Sequence, residues 1–144
     1  MPLTEQHRFG MQLAQMSRGW RAELDRRLAG LGLSQARWLV LLHLARFDEA
    51  PTQRELAQSV GVEGPTLARL LDSLEAQGLV KRQAVLEDRR AKKIVLCPPA
   101  KPLIDQIETI ANQLRVELFT GVDEADLQTC MRVHAKILAN LEKS

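Results

Sequence analysis

Apolar residues recur every three or four positions along most of the chain, which predicts a mainly helical protein. Thr4 can cap a first helix, and Gly30 and Gly32 are placed to end it. The apolar stripe of this helix comprises Phe9, Leu13, Met16, Trp20, Leu24, Leu28 and Leu31. Ser34 then caps a second helix, which is apolar on nearly all sides over residues 38–42. We therefore expect the second helix to lie in the centre of the core.

Two short helices with little chain between them are predicted next. Thr52 and Glu55 have the spacing of a capping box, in which each side chain satisfies a free backbone donor, so a third helix begins there. Gly61 interrupts this helix. Pro65 starts a fourth helix, and Gly78 ends it in the manner of a left-handed cap.

The joint between these two helices has the composition of a helix-turn-helix motif. Ala57 is small enough to let the fourth helix approach, and Gly61 supplies the turn. The apolar residues placed to bury the joint are Leu56, Val60, Val62, Leu67, Leu70 and Leu71. The residues left facing outwards are Glu63, Gly64, Pro65, Thr66 and Arg69.

Such a helix is suited to the major groove of duplex DNA. The N-terminal end of a recognition helix enters the groove, and its free backbone donors favour phosphate. We predict that Arg69 reaches the acceptors of a guanine and that Thr66 bonds a phosphate or a base edge. The alternative is an ordinary solvent-facing helix that carries one arginine.

A charged hairpin follows the fourth helix. Strands are predicted at 79–85 and 94–97, separated by a long charged tip at 86–93. Over residues 81–93, six basic residues stand against Glu87 and Asp88. A thin basic loop fits the minor groove, and Asp88 can pair with Arg90 or Arg89 to orient a guanidinium. A charge run is often only a solvated turn, but its position directly after a helix-turn-helix favours a wing.

The remaining apolar stripes lie in two C-terminal helices. Pro98, Pro99 and Pro102 close the hairpin, and Gly121 separates the two helices. Their stripes are Leu103, Ile107, Ile110, Leu114 and Leu118, then, after a start near Asp123, Leu127, Met131, His134, Leu138 and Leu141. We expect the first, fifth and sixth helices to lie outside the compact middle, where pairing with a second copy would bury their stripes. A monomeric helical bundle is the alternative.

Composition narrows the classes of partner. The chain has 144 residues and a formal net charge of only +2, so an anionic partner must be met by a local basic patch. Aromatic residues make up 3%, which leaves few stacking platforms for single strands or RNA and favours duplex DNA. The sequence has no apolar run of membrane-spanning length, and we expect a cytoplasmic protein without a membrane partner.

The residues that usually support catalysis or metal binding are scattered. His7, His43 and His134 lack ligand spacing, and neither a phosphate-binding loop nor a nucleophile elbow occurs. Cys97 and Cys130 form no C-x-x-C pair and are interpreted as partly buried thiols, with their redox activity left open. We therefore expect no catalytic residues, no metal and no cofactor.

Taken together, these residues resemble the MarR family of winged-helix regulators, and within it the SlyA branch. The family's wing pattern, D-x-R followed by five residues and Leu, is met by Asp88, Arg90 and Leu96. Further similarity, in register over nearly the whole chain, comes from Trp20-Arg21-Ala22, Leu33-Ser34-Gln35 with Trp38, Pro65-Thr66-Leu67 with Arg69, Leu74-Glu75, and Asp88-Arg89-Arg90-Ala91-Lys92. Many members have Thr and Gly where this chain has Cys97 and Ala100, which leaves the start of the fifth helix less defined.

The resemblance implies a homodimeric transcriptional regulator of pseudopalindromic operators. Residues 1–33 and 100–144 would form the dimerisation helices around a winged helix-turn-helix domain at 34–99. The DNA contacts implied by position are Pro65, Thr66 and Arg69 on the recognition helix and Arg90 in the wing, supported by Arg89 and Lys92. A winged-helix protein-interaction module that does not bind DNA is the alternative function.

The resemblance also suggests a ligand. Family members often bind small aromatic anions between the dimerisation helices and the DNA-binding lobe. Arg18 and Trp38 are candidates for the carboxylate partner and the aromatic wall of such a site. In the alternative interpretation Trp38 is core and Arg18 is a surface charge. Some relatives sense peroxide through a cysteine in the first helix, but residues 1–33 contain none.

Overall fold

The computed structural model describes residues 1–84 and 92–144 in full, and residues 85 and 88–91 by their backbone. The helices are α1 (Glu5–Leu28), α2 (Gln35–Ala45), α3 (Gln53–Val60), α4 (Gly64–Ala76), α5 (Ala100–Leu118) and α6 (Glu124–Glu142). A 3₁₀ turn (Ala29–Leu31) follows α1, and strands β1 (Val80–Val85) and β2 (Asp88–Leu96) lie between α4 and α5. The predicted fold class, mainly α with a small β wing, is confirmed.

Side-chain capping sets the start of two helices, α1 and α3. Thr4 opens α1 through a capping box with His7, and Thr52 opens α3 through the predicted box with Glu55. Ser34 occupies the N-cap position of α2, as predicted. Its side chain makes no hydrogen bond to the backbone of the helix, so the predicted capping bond is wrong. Its Oγ instead accepts a hydrogen bond from Nε of Arg37 at 3.2 Å.

The core is built around α2, as predicted. This helix packs on α3, α4 and β2. Its Trp38 is 1% exposed, and the neighbouring elements contribute fully buried apolar side chains: Leu56, Leu67, Leu71, Leu74, Val80 and Ile94. Burying such a side chain stabilises a fold by roughly 1.5–3 kcal/mol relative to leaving it in water. The core therefore fixes α3 and α4 against α2.

The hairpin differs from the prediction in its second strand. β2 begins at Asp88, six positions before the expected 94, so most of the predicted charged tip belongs to a strand. Antiparallel pairing runs from Val80 opposite Leu96 to Ala84 opposite Lys92. A two-stranded ribbon leaves one face open to water, so charged side chains there are compatible with a strand. The charged composition of 88–93 therefore did not indicate a loop, and residues 86 and 87 of the predicted tip lie outside the described residues.

The chain divides into two compact units, residues 1–112 and 113–144. Within the first, Leu24 and Leu28 at the end of α1 are buried, whereas Phe9, Leu13 and Met16 earlier in its stripe are exposed. In the second unit, α6 buries none of its residues. Both helices therefore present apolar side chains to water within one copy of the chain.

The fifth helix partly corrects the expectation that its stripe is left in water. Ile107 and Leu114 of the stripe are buried in a single copy of the chain, beside Ala100 and Ile104, whereas Leu118 is exposed. Its uncertain start is also resolved, because the amide of Ala100 donates to the carbonyl oxygen of Cys97 at 2.9 Å and α5 begins there.

No single helix among the fully described parts of the chain is long and apolar enough to cross a membrane. One pair, Glu5–Leu31 with Gln35–Ala45, passes the same test of length and composition only when taken together across a 95° bend.

Candidate nucleic-acid interface

The N-terminal end of α4 has free backbone donors. Glu63 occupies its N-cap position without a side-chain hydrogen bond, Pro65 lies in the first turn, and no acidic residue follows in that turn. By contrast, the N-terminus of α3 is occupied by its own capping box, in which Thr52 N and Glu55 N each bond the other residue's side chain at 3.1 Å. Free donors at a helix N-terminus attract phosphate. Of the two helices of the motif, α4 is therefore the one suited to an anion.

The two faces of α4 separate as predicted. Leu67 and Leu71 are buried, whereas Pro65 and Arg69 are exposed and Thr66 is half-buried. A helix cannot turn on its axis once three leucines, including Leu74, hold its inner face in the core. Of the side chains of α4 predicted to meet DNA, Pro65 and Arg69 are therefore open to solvent and Thr66 is open in part.

The turn before α4 has the geometry that the motif requires. Gly61 adopts a left-handed conformation with φ of 83°, and both its amide and that of Val62 donate to the carbonyl oxygen of Ala57, at 2.9 and 3.1 Å. Ala57 itself is buried. The small residue and the turn glycine identified from the sequence therefore end α3 and redirect the chain into α4.

The hairpin is attached to the rest of the domain through β2. Lys93 pairs with Thr52 in an antiparallel bridge, and the amide of Ile94 donates to the carbonyl oxygen of Pro51 at 2.9 Å. Thr52 is also the N-cap of α3. Bonds from the backbone amide and the hydroxyl of Thr52 hold the pKa of Glu55 below its usual value, with Lys93 adding to the effect. The base of the wing thus meets the start of the helix-turn-helix.

The hairpin is also attached through β1, by a residue whose role the sequence prediction missed. Arg82 was counted among the basic residues of the wing, but its side chain is only 17% exposed and its Nη1 lies 2.8 Å from Asp72 Oδ1 and 3.2 Å from Glu75 Oε1, both on α4. The signal was its spacing of two from the buried Val80, which places Arg82 on the inner face of the strand.

The predicted wing contacts lie mostly outside the described residues. This applies to the side chains of Asp88, Arg89 and Arg90. Lys92 is exposed, at the position opposite Ala84 in the ribbon. The roles assigned to these residues stay predictions.

The two candidate ligand residues lie in different surroundings. Trp38 is buried, and its Nε1 donates to Asp25 Oδ1 on α1 at 3.1 Å. Arg18 is exposed on α1. An open surface depression of about 350 Å³ in the first unit is lined by neither, but by Leu31, Asp105, Gln106, Thr109 and Ile110. The ligand assignment therefore stays a prediction.

Other reactive side chains serve packing or lie at the surface. His43 shares a 2.8 Å hydrogen bond with the hydroxyl of Ser59, and burial lowers the pKa of the imidazole, with Arg46 and Arg21 adding to the shift. Cys97 is partly buried as expected, but Cys130 is exposed, which corrects the prediction for that thiol. Within the described parts of the chain, no three His, Cys, Asp or Glu side chains are grouped to hold a metal ion.

These elements define a winged helix-turn-helix protein: a short helix, a tight turn, a second helix with an open N-terminus, and a hairpin fixed to both helices. Comparison with known proteins agrees with this class. A model described as MarR family matches residues 31–91. The crystal structure of the transcriptional regulator PA3341 is 68% identical in sequence and superposes with a TM-score of 0.90, over 94% of this chain and 99% of that one.

Two more distant structures share the fold. A MarR family regulator from Silicibacter pomeroyi is 26% identical, with a TM-score of 0.84 over 97% of this chain and 96% of that one. The MepR–DNA complex of S. aureus is 23% identical, with a TM-score of 0.79 over 96% of this chain and 99% of that one. The chain belongs to the MarR family of winged-helix, DNA-binding transcriptional regulators.

Proposed function

We propose that this protein is a sequence-specific regulator that binds pseudopalindromic operators in duplex DNA as a homodimer. The observation that carries the proposal is the orientation of α4. The apolar side chains of α4, Leu67, Leu71 and Leu74, are buried in the core. Its uncapped N-terminus, Pro65 and Arg69 face outwards. An exposed helix of this kind, with donors at its tip and an arginine one turn further on, fits the major groove.

Base preference is assigned to Arg69. A guanidinium can donate two hydrogen bonds to the O6 and N7 atoms of guanine, and one such pair contributes about 1–3 kcal/mol of discrimination. Thr66 and the backbone amides at the start of α4 would bond phosphates and fix the register of the helix, without reading the sequence.

The wing is assigned to the minor groove. Arg90 would enter it, with Arg89 and Lys92 near the phosphates and Asp88 orienting a guanidinium. The exposure of Lys92 supports this assignment. The narrower membership in the SlyA branch is proposed on the same residues of the wing.

The homodimer is supported by unpartnered apolar side chains on the terminal helices. They are Phe9, Met11, Leu13 and Met16 on α1 and Met131, Val133, Ile137, Leu138 and Leu141 on α6. A second copy would remove these side chains from water by a symmetric interface. Two lobes related by a two-fold axis would then read half-sites about 10 base pairs apart.

A binding selection tests the function. Purified protein is incubated with fragmented genomic duplex DNA at low salt, and bound fragments are sequenced. We expect enrichment of an inverted repeat and binding that weakens steeply as salt rises, since phosphate contacts release counterions. If no duplex is enriched, the alternative of a protein-interaction module replaces this proposal.

Arginine variants test the division of labour. Arg69→Ala should relax the preference at one base of each half-site, whereas Arg90→Ala should lower affinity and reduce any A·T preference in the flanks. Arg46→Ala removes the same charge from an exposed position at the end of α2 and is the matched control. Unchanged footprints for the first two variants would contradict both assigned roles.

A small aromatic anion remains the proposed kind of effector. Because Trp38 is buried and bonded to Asp25, such a ligand would have to displace the indole or bind beside it. Titration of salicylate-like anions should quench the Trp38 fluorescence and release bound DNA, and a Trp38→Phe variant would identify the source of the signal. No response at millimolar concentration would argue against an aromatic effector.

A further inference from the structure

Arg82 is an arginine of the wing whose guanidinium lies against the recognition helix. Its Nη1 contacts the carboxylates of Asp72 and Glu75, and its Nη2 donates to the carbonyl oxygen of Ala68 at 2.8 Å. The backbone amide of Arg82 also donates to Glu75 Oε2 at 3.2 Å. Side chain and backbone of one strand residue are therefore both bonded to α4.

The three partners form one stripe along α4. Residues 68, 72 and 75 are separated by four and three positions and so lie on the same side of the helix. The stripe reaches from the last turn of α4 to Ala68, which directly precedes Arg69. The arginine thus connects the wing to the part of the helix that faces DNA.

This cluster is better suited to fixing geometry than to stabilising the whole fold. Both carboxylates are well exposed, at 68% and 41%, and ion pairs with exposed carboxylates contribute little to global stability. A two-stranded hairpin, however, is marginally stable by itself and takes its position from the elements it contacts. On the β1 side, the bonds of Arg82 supply such a contact beside the buried Val80.

We infer that Arg82 is a positioning residue that sets the wing relative to the recognition helix and thereby determines DNA specificity without touching DNA. The inference rests on the proposed function, in which α4 and the wing engage adjacent grooves at once. A wing already held in place need not be ordered on binding, so part of the cost of forming the specific complex is avoided. Non-specific binding, which depends on charge, gains little from this preorganisation.

Variants of both sides of the cluster separate positioning from direct contact. Arg82→Met removes the cation, and Asp72→Asn with Glu75→Gln keeps the cation but removes its partners. Arg82→Lys retains charge with one ammonium, which cannot reach the carboxylates and the Ala68 carbonyl together. Lys81→Met is the control for charge, since Lys81 is exposed in the adjacent strand position.

The first readout is hydrogen exchange in the free protein, followed by mass spectrometry, with thermal unfolding in parallel. We expect faster exchange over residues 81–84 and 92–96 in Arg82→Met and in the Asp72/Glu75 double variant, partial rescue in Arg82→Lys, and no change in Lys81→Met. Melting temperatures should stay within about 4 °C of wild type. Unchanged exchange in Arg82→Met would overturn the inference.

The second readout is the ratio of affinities for the duplex selected by the wild-type protein and for a scrambled duplex of equal length. We expect this ratio to fall about tenfold in Arg82→Met and in the double variant. In Lys81→Met the affinities for the selected and the scrambled duplex should fall by the same factor, so the ratio should stay unchanged. If the double variant keeps the ratio and binds DNA more tightly, Arg82 contacts DNA directly and the inference is wrong. If the wild type selects no duplex, the proposed function fails, while hydrogen exchange still decides whether Arg82 holds the hairpin on α4.

Discussion

Gly61 offers a sharp test of how the helix-turn-helix is set, because its conformation and its surroundings can be separated. The glycine has φ of 83°, and a Cβ added to it would meet no atom within 4 Å. Gly64, three residues later, has equally open surroundings but no positive φ. An alanine at either position is therefore free of clashes, and only the backbone conformation distinguishes the two.

The magnitudes follow from this difference. A non-glycine residue in the left-handed region costs about 1–2 kcal/mol, against which alanine recovers about 0.4–1 kcal/mol by restricting the unfolded chain. We expect Gly61→Ala to lower the free energy of unfolding by about 1 kcal/mol and Gly64→Ala to raise it by up to about 0.5–1 kcal/mol. Gly61→Asn should be intermediate, since asparagine tolerates the left-handed region.

Urea and thermal unfolding, both at one fixed protein concentration, measure these differences. The melting temperatures of the two alanine variants should differ by about 3–8 °C for a chain of this size. Equal effects at the two positions, or a neutral Gly61→Ala, would refute the reasoning that the left-handed turn is what requires glycine.

Three further predictions concern single side chains. Because the pKa of Glu55 is lowered in the folded protein, its carboxylate stabilises the fold fully above the ordinary glutamate range, and this stabilisation is lost as pH falls through the lowered pKa. Glu55→Gln keeps an acceptor for the Thr52 amide and should make the free energy of unfolding depend less on pH in acid. Glu63→Gln removes an exposed carboxylate from the tip of α4 and should tighten non-specific duplex binding severalfold in fluorescence anisotropy, an effect that should vanish at high salt. Trp38→Phe deletes the hydrogen bond to Asp25 and should lower the free energy of unfolding by about 2–3 kcal/mol in urea titrations, whereas a loss below about 0.5 kcal/mol would mean that the bond contributes little.

The features that depend on residues close together in the sequence were predictable. The capping box of Thr52 and Glu55, the turn at Gly61 and the buried and exposed sides of α4 all follow from rules that act within a few residues. Ser34 is the local exception, because its hydroxyl oxygen accepts a hydrogen bond from Arg37 and makes no cap bond.

The features that depend on distant residues were not predictable from local pattern. The charged start of β2 was interpreted as a loop, because charged residues indicate exposure to solvent but give no information about pairing with another strand. The burial of Ile104 and Ile107 likewise depends on the tertiary structure. Arg82 was assigned to the surface by its charge, although its partners on α4 allow it to face inwards.

The ties within the DNA-binding domain limit how its affinity for DNA can be regulated. β1 is bonded to α4 through Arg82, β2 is bonded to the chain before α3 through Ile94 and Pro51, and α4 is held in the core. Wing and recognition helix therefore move together, and an effector that separated them would have to break several contacts at once. Within the first unit, α1 is joined to α2 by hydrogen bonds from Trp38 Nε1 to Asp25 Oδ1 at 3.1 Å and from Gln35 Nε2 to the carbonyl oxygen of Arg21 at 3.3 Å. A change in the placement of the domain at that joint would leave the bonds between the hairpin, α4 and the core intact, so we expect any effector to act there.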